Sequence, residues 1–118
     1  MEDFLLATRA HGTITLDQPV PLSPQGTTFF TEPIFTWTAP PGATHYLLIV
    51  QDDTTGKEIF AGVVPTNSWT PPMPLTVGDK YDWFVQARDD FGDFSHDSSD
   101  AQFRVERLRV GPPRVFQP

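Results

Sequence analysis

Between Trp37 and Trp83 the large apolar side chains fall on every second position, and a period of two can be buried on one side only by an extended strand. Phe35 and Trp37 share one side of a strand over 34–38, Tyr46, Leu48 and Val50 one side of the next, and Tyr81, Trp83, Val85 and Ala87 one side of a third. Turn chemistry separates them. Pro40-Pro41-Gly42 breaks the chain after the first strand, and Asp52-Asp53-Thr54-Thr55-Gly56-Lys57 forms a polar hairpin with a glycine available for positive φ. No internal repeat and no apolar pattern of helical period is present. The expected fold class is all-β, a two-sheet antiparallel sandwich of about seven strands.

A chain of 118 residues can bury one core but not two. Its 13 prolines and 8 glycines supply the frequent turns that short strands need. The formal net charge of −7 repels phosphate backbones and anionic lipid, so neither nucleic acid nor membrane insertion is expected. Cysteine is absent, which excludes a disulfide framework, a thiolate nucleophile and a zinc ribbon. The opening Met1-Glu2-Asp3-Phe4-Leu5-Leu6 lacks the basic start and long apolar core of a secretion signal, and no run reaches membrane-spanning length.

Residues 1–18 hold one alternating piece, Thr13-Ile14-Thr15-Leu16, and are read as an N-terminal linker or an extra edge strand, with the linker preferred. The sandwich takes 19–106, and 107–118, with Gly111-Pro112-Pro113, reads as a C-terminal linker. Pro19, Pro21 and Pro24 confine the first strand to a sheet edge, because each proline removes a ladder donor. Gln25-Gly26 is expected to turn. The span 58–64 returns from the hairpin in a register that its pattern does not fix. A short strand at 67–70 should point Trp69 inward, and Leu75 and Gly78 lead into Tyr81, placed for its hydroxyl to bind nearby backbone. Residues 89–100 form a polar loop containing Phe91 and Phe94, and 101–106 closes the domain with Phe103 and Val105 inward and Arg104 outward. The expected core is Phe35, Trp37, Tyr46, Leu48, Val50, Trp69, Leu75, Tyr81, Trp83, Val85, Phe103 and Val105.

The combination Pro33-x-Phe35-x-Trp37, Pro41-Gly42-Ala43-Thr44-x-Tyr46-x-Leu48-x-Val50, Leu75-x-x-Gly78-x-x-Tyr81-x-Trp83-x-Val85-x-Ala87 and Phe103-x-Val105 resembles a bacterial fibronectin type III-like module of the immunoglobulin-like class. The resemblance covers about residues 19–106. It implies seven strands in two sheets and an extracellular, cell-surface or periplasmic setting. It also implies a non-catalytic spacer, adhesion or protein-interaction role within a larger protein, with neighbouring domains or another protein as partner. It carries over no catalytic residue, and no Arg-Gly-Asp tripeptide is present.

The remaining chemistry is sparse. His11, His45 and His96 are scattered and no serine sits in an elbow motif, so the serines are expected to be ordinary surface residues. Asp89, Asp90, Asp93, Asp97 and Asp100 crowd one loop, yet Asp89-Asp90-Phe91-Gly92-Asp93 lacks the alternate ligands and closing glutamate of a calcium loop. No enzymatic activity, no metal and no cofactor are expected. Phe91 and Phe94 suggest an alternative role as a carbohydrate-binding module, with a polysaccharide ligand stacked on loop aromatics, although folding back to seal the core is preferred for both rings.

Leu47 and Ile49 fall on the outward side of their strand, as does Phe84 of the strand that the resemblance makes their neighbour. Three adjacent outward apolar residues mark a candidate contact face. The competing expectation is that the N-terminal segment, through Phe4, Leu5 and Leu6, covers that face.

Overall fold

The computed structural model describes residues 13–108. Eight strands follow in order: β1 (Pro21–Ser23), β2 (Gly26–Thr28), β3 (Phe35–Trp37), β4 (His45–Asp52), β5 (Lys57–Val64), β6 (Ser68–Trp69), β7 (Lys80–Arg88) and β8 (Ala101–Val105). They form a three-stranded sheet of order β1-β3-β6 and a five-stranded sheet of order β2-β8-β7-β4-β5. Proline-bearing β1 lies at an edge, as its missing donors require.

The two sheets close over the alternating side chains. Phe35, Trp37, Leu48, Val50, Trp83, Val85 and Val105 are completely buried. Phe35 sits at the centre, meeting Trp69, Trp83 and Phe103 edge-on at 5.2, 5.2 and 5.6 Å, an arrangement that aromatic quadrupoles favour. Every expected core residue is buried except Trp69, which is half-buried. Its strand is two residues long at a sheet edge, so Phe35 and Phe60 cover the ring and no further strand does. The Tyr81 hydroxyl accepts the backbone N–H of Thr76 at 2.8 Å, five residues upstream.

Three features go beyond the sequence reading. The chain changes sheets within a few residues of Pro24, and Gln25-Gly26, expected to turn, leads directly into β2, which pairs with β8 in parallel. The β4–β5 hairpin carries a bulge at Val50/Gln51, which breaks the alternation that would have fixed the register of β5. Residues 13–16 lie against the 89–100 loop: Thr15 N–H donates to Phe94 O at 3.1 Å and Phe94 N–H to Thr13 O at 2.9 Å. Phe4, Leu5 and Leu6, proposed to cover the outer face, lie outside the described residues, as does most of 107–118.

Candidate functional site

The outer face of the five-stranded sheet is built by the odd-numbered members of β4 and the even-numbered members of β7. Antiparallel register sets His45 opposite Arg88, Leu47 opposite Gln86 and Ile49 opposite Phe84. On the other flank Leu47 faces Val63 and Ile49 faces Ala61. Leu47, Ile49 and Phe84 thus share one surface, each half-buried by its neighbours, while Val63 is 55 % exposed. Val63 and Ala61 extend this surface to the sheet edge. Neither is legible from the residue pattern, because the bulge conceals which side of β5 faces out.

One end of the face is acidic. Burial, then the nearby charges of Asp100 and Asp53, push the Asp82 carboxyl up to about 6. Its Oδ1 atom is buried and has no hydrogen-bond partner among the described residues.

The opposite end opens into a cleft of about 310 Å³ between Arg88, Gln86 and His45 on the sheet and Phe94 and Asp93 on the 89–100 loop. Arg88 Nε donates to Gln86 Oε1 at 2.9 Å. The loop carboxylates brace the fold. Asp89 Oδ1 accepts the N–H groups of Phe91 and Asp93, Asp93 Oδ1 accepts both the N–H and the hydroxyl of Thr13, and Asp90 Oδ1 accepts the Thr44 hydroxyl. No group of three or more His, Asp or Glu side chains placed to hold a metal occurs among the described residues.

Two expectations for the loop are corrected. Neither ring joins the core: Phe91 is 73 % exposed, because the turn that Asp89 caps projects it outward, and Phe94, half-buried, lines the Arg88 cleft rather than packing against the core cluster. Ser95 and Ser98 are not surface residues but buried ones, at 0 % and 5 % exposure. Each binds one residue of β7 twice. Ser98 N–H donates to Val85 O at 2.8 Å while its Oγ accepts Val85 N–H at 3.0 Å, and Ser95 treats Ala87 in the same way at 2.9 and 2.8 Å. The loop thereby completes the ladder of β7 beyond the end of β8, with hydroxyls in place of carbonyls. Both hydroxyls also donate to neighbouring carbonyls, of His96 and Ser99, so neither is available as a nucleophile.

A second cleft, of about 500 Å³, lies at the hairpin end, between Ile59 and the Pro71–Leu75 segment. At its floor Asp52 Oδ1 accepts the N–H groups of Thr54 and Thr55. A hydrogen bond that protonated Asp79 donates to the Asp52 carboxylate, with desolvation and the Asp52 charge adding to it, raises Asp79 above the usual carboxylate range. These groups hold the hairpin, since Asp53 N–H also donates to Lys80 O at 2.8 Å.

Two sheets, a tyrosine tied to its upstream turn and an aromatic core define a fibronectin type III-like fold. Solved structures agree. An Fn3-like protein from Clostridium thermocellum superposes with a TM-score of 0.52 at 20 % identity, covering 80 % of this chain and 95 % of that one. The twitchin kinase region from C. elegans matches with a TM-score of 0.56 at 18 % identity over 78 % of this chain. A beta-1,2-glucanase from Parabacteroides distasonis gives a TM-score of 0.58 at 20 % identity over 80 % of this chain. The chain spans 17 % of the twitchin chain and 13 % of the glucanase chain. No protein-family model and no curated protein matches the chain.

Proposed function

We propose that this chain is a non-catalytic interaction module of a larger exported or cell-surface protein, and that its contact surface is the outer face carrying Leu47, Ile49 and Phe84. The observation that carries the reading is the adjacency of these three with Val63 and Ala61 in one register block. Single exposed apolar residues are ordinary, whereas a contiguous group bounded by Asp82 and Arg88 has the apolar-centre, polar-rim layout of a protein contact. The fold is one that commonly serves as a spacer or adhesion unit, and both serines buried beside the site are occupied. No helix among the described residues is long and apolar enough to cross a membrane.

Removing residues 1–12 and, separately, substituting Ile49→Ser with Phe84→Ser tests the reading. A contact face predicts that both proteins melt within a few degrees of the parent, and that the double variant loses binding of a hydrophobic dye. If removal of 1–12 lowers the melting temperature and causes self-association, the face is instead covered by the chain's own N-terminal segment.

A second reading, carbohydrate binding, is favoured by one observation: Phe91 presents a 73 % exposed ring on the turn that borders the Arg88 cleft. Affinity electrophoresis in polysaccharide gels, with Phe91→Ala as control, tests it.

A further inference from the structure

We propose that the cleft at the Arg88 end of the outer face receives a carboxylate from a polypeptide partner lying along Phe84, Ile49 and Leu47. The inference rests on the contact-face reading above and names the partner's chemistry.

The cleft holds donors that the fold does not use, on Arg88 and Gln86. Arg88 is fixed at the end of β7, where Thr44 N–H donates to its carbonyl at 2.8 Å. Its Nε is held by Gln86 Oε1, which orients the guanidinium plane and turns the Gln86 amide nitrogen the other way. Among the described residues the terminal nitrogens of Arg88 and the amide nitrogen of Gln86 have no partner, and Arg88 forms no ion pair. The three acidic side chains closest in sequence are engaged elsewhere: Asp89 with Phe91 and Asp93, Asp90 with Thr44, and Asp93 with Thr13. A guanidinium held by its Nε presents two parallel N–H groups, the geometry that matches a carboxylate bidentately. Phe94 gives the cleft an apolar wall against which such a pair is partly shielded from water.

The spacing selects a polypeptide. Leu47 and Gln86 form one register pair and His45 and Arg88 the next pair on the same face. The two pairs are therefore about 7 Å apart, the distance between side chains i and i+2 of an extended strand. An extended partner that sets an apolar side chain over Leu47 sets its second-next side chain over Arg88. The net charge of −7 and the Asp89 and Asp93 carboxylates on the cleft wall oppose any anion, and a dianion such as phosphate more than a single carboxylate, which the Arg88 guanidinium can meet with two parallel hydrogen bonds.

The test is a nitrogen-15 NMR titration of the full chain with acetyl-Thr-Val-Thr-Leu-Thr-Glu-amide, with its Gln counterpart, and with trigalacturonate. The Glu peptide should shift the amides of Ile49, Leu47, Gln86 and Arg88 saturably. The Gln peptide should bind about tenfold more weakly, as for loss of one charge-assisted hydrogen-bonded pair. Arg88→Gln should abolish the difference, and Arg88→Lys should restore it only in part because an ammonium lacks the fork. Equal binding of the two peptides, with shifts at Ile49 and Phe84 alone, overturns carboxylate recognition and leaves the contact face standing. No shift with either peptide overturns both. Saturable shifts around Arg88 with trigalacturonate and none with the Glu peptide overturn the polypeptide assignment in favour of an acidic glycan.

Discussion

The indole Nε1–H of Trp83 donates to the carbonyl of Pro24 at 3.1 Å in the buried interior. It joins the middle of β7, the nine-residue strand at the centre of the larger sheet, to the point where the N-terminal segment passes from one sheet to the other. A residue chosen for its apolar bulk therefore also fixes where the chain crosses.

Replacing Trp83 by phenylalanine keeps an aromatic ring but leaves the Pro24 carbonyl without its donor. Stability should fall by about 2–4 kcal/mol, combining an unsatisfied buried acceptor with the smaller ring. Urea unfolding should show a lower midpoint with an unchanged slope. A midpoint equal to the parent's would refute the role of this bond.

Ser98→Ala removes the acceptor for the buried Val85 N–H and should cost about 1–3 kcal/mol. The exposed neighbour Ser99→Ala should stay within about 0.5 kcal/mol. Native-state hydrogen exchange gives the local readout: the Val85 amide should lose protection in the Ser98 variant while Leu48, on β4, keeps its protection relative to the global value.

Asp82 links stability to pH. Its folded value of about 6 lies above the ordinary aspartate value of 3.8, so the native state binds the proton more tightly than the unfolded chain. The charged form therefore opposes folding. That penalty is fully present above about pH 6 and is relieved as pH falls through 6 towards 4. Asp82→Asn should raise the melting temperature at pH 7, and its advantage over the parent should shrink towards zero near pH 4. An advantage that does not vary with pH would sink the electrostatic account.

The loop phenylalanines and the core phenylalanine should separate cleanly. Phe35→Ala should cost about 3–5 kcal/mol, because it opens a cavity among three aromatic rings. Phe91→Ala should stay within about 0.5 kcal/mol, as its ring is exposed. Thermal melts of the two variants check this, and a destabilised Phe91 variant would mean that the ring packs after all.

The sequence alone determined the all-β class and most of the apolar interior. Alternation at Phe35/Trp37, Tyr46/Leu48/Val50 and Tyr81/Trp83/Val85 states which side chains leave water, because only one side of a strand can face a core. It likewise set Leu47, Ile49 and Phe84 on outward positions. What alternation could not reach were the places where the backbone leaves its period. The bulge at Val50/Gln51 shifts β5 by one residue and decides that Val63 and Ala61 join the outer face. Gln25-Gly26, turn-like in composition, leads into a strand because β8 offers it a free edge. Ser95 and Ser98 look solvated in a loop of aspartates, yet β7 outruns β8, and its surplus backbone groups must be satisfied by whatever lies beside them. The juxtaposition of Arg88 with Phe94 belongs to the same category: it depends on the path of a loop held by bonds to β7 and to Thr13, long-range partners that no local pattern encodes.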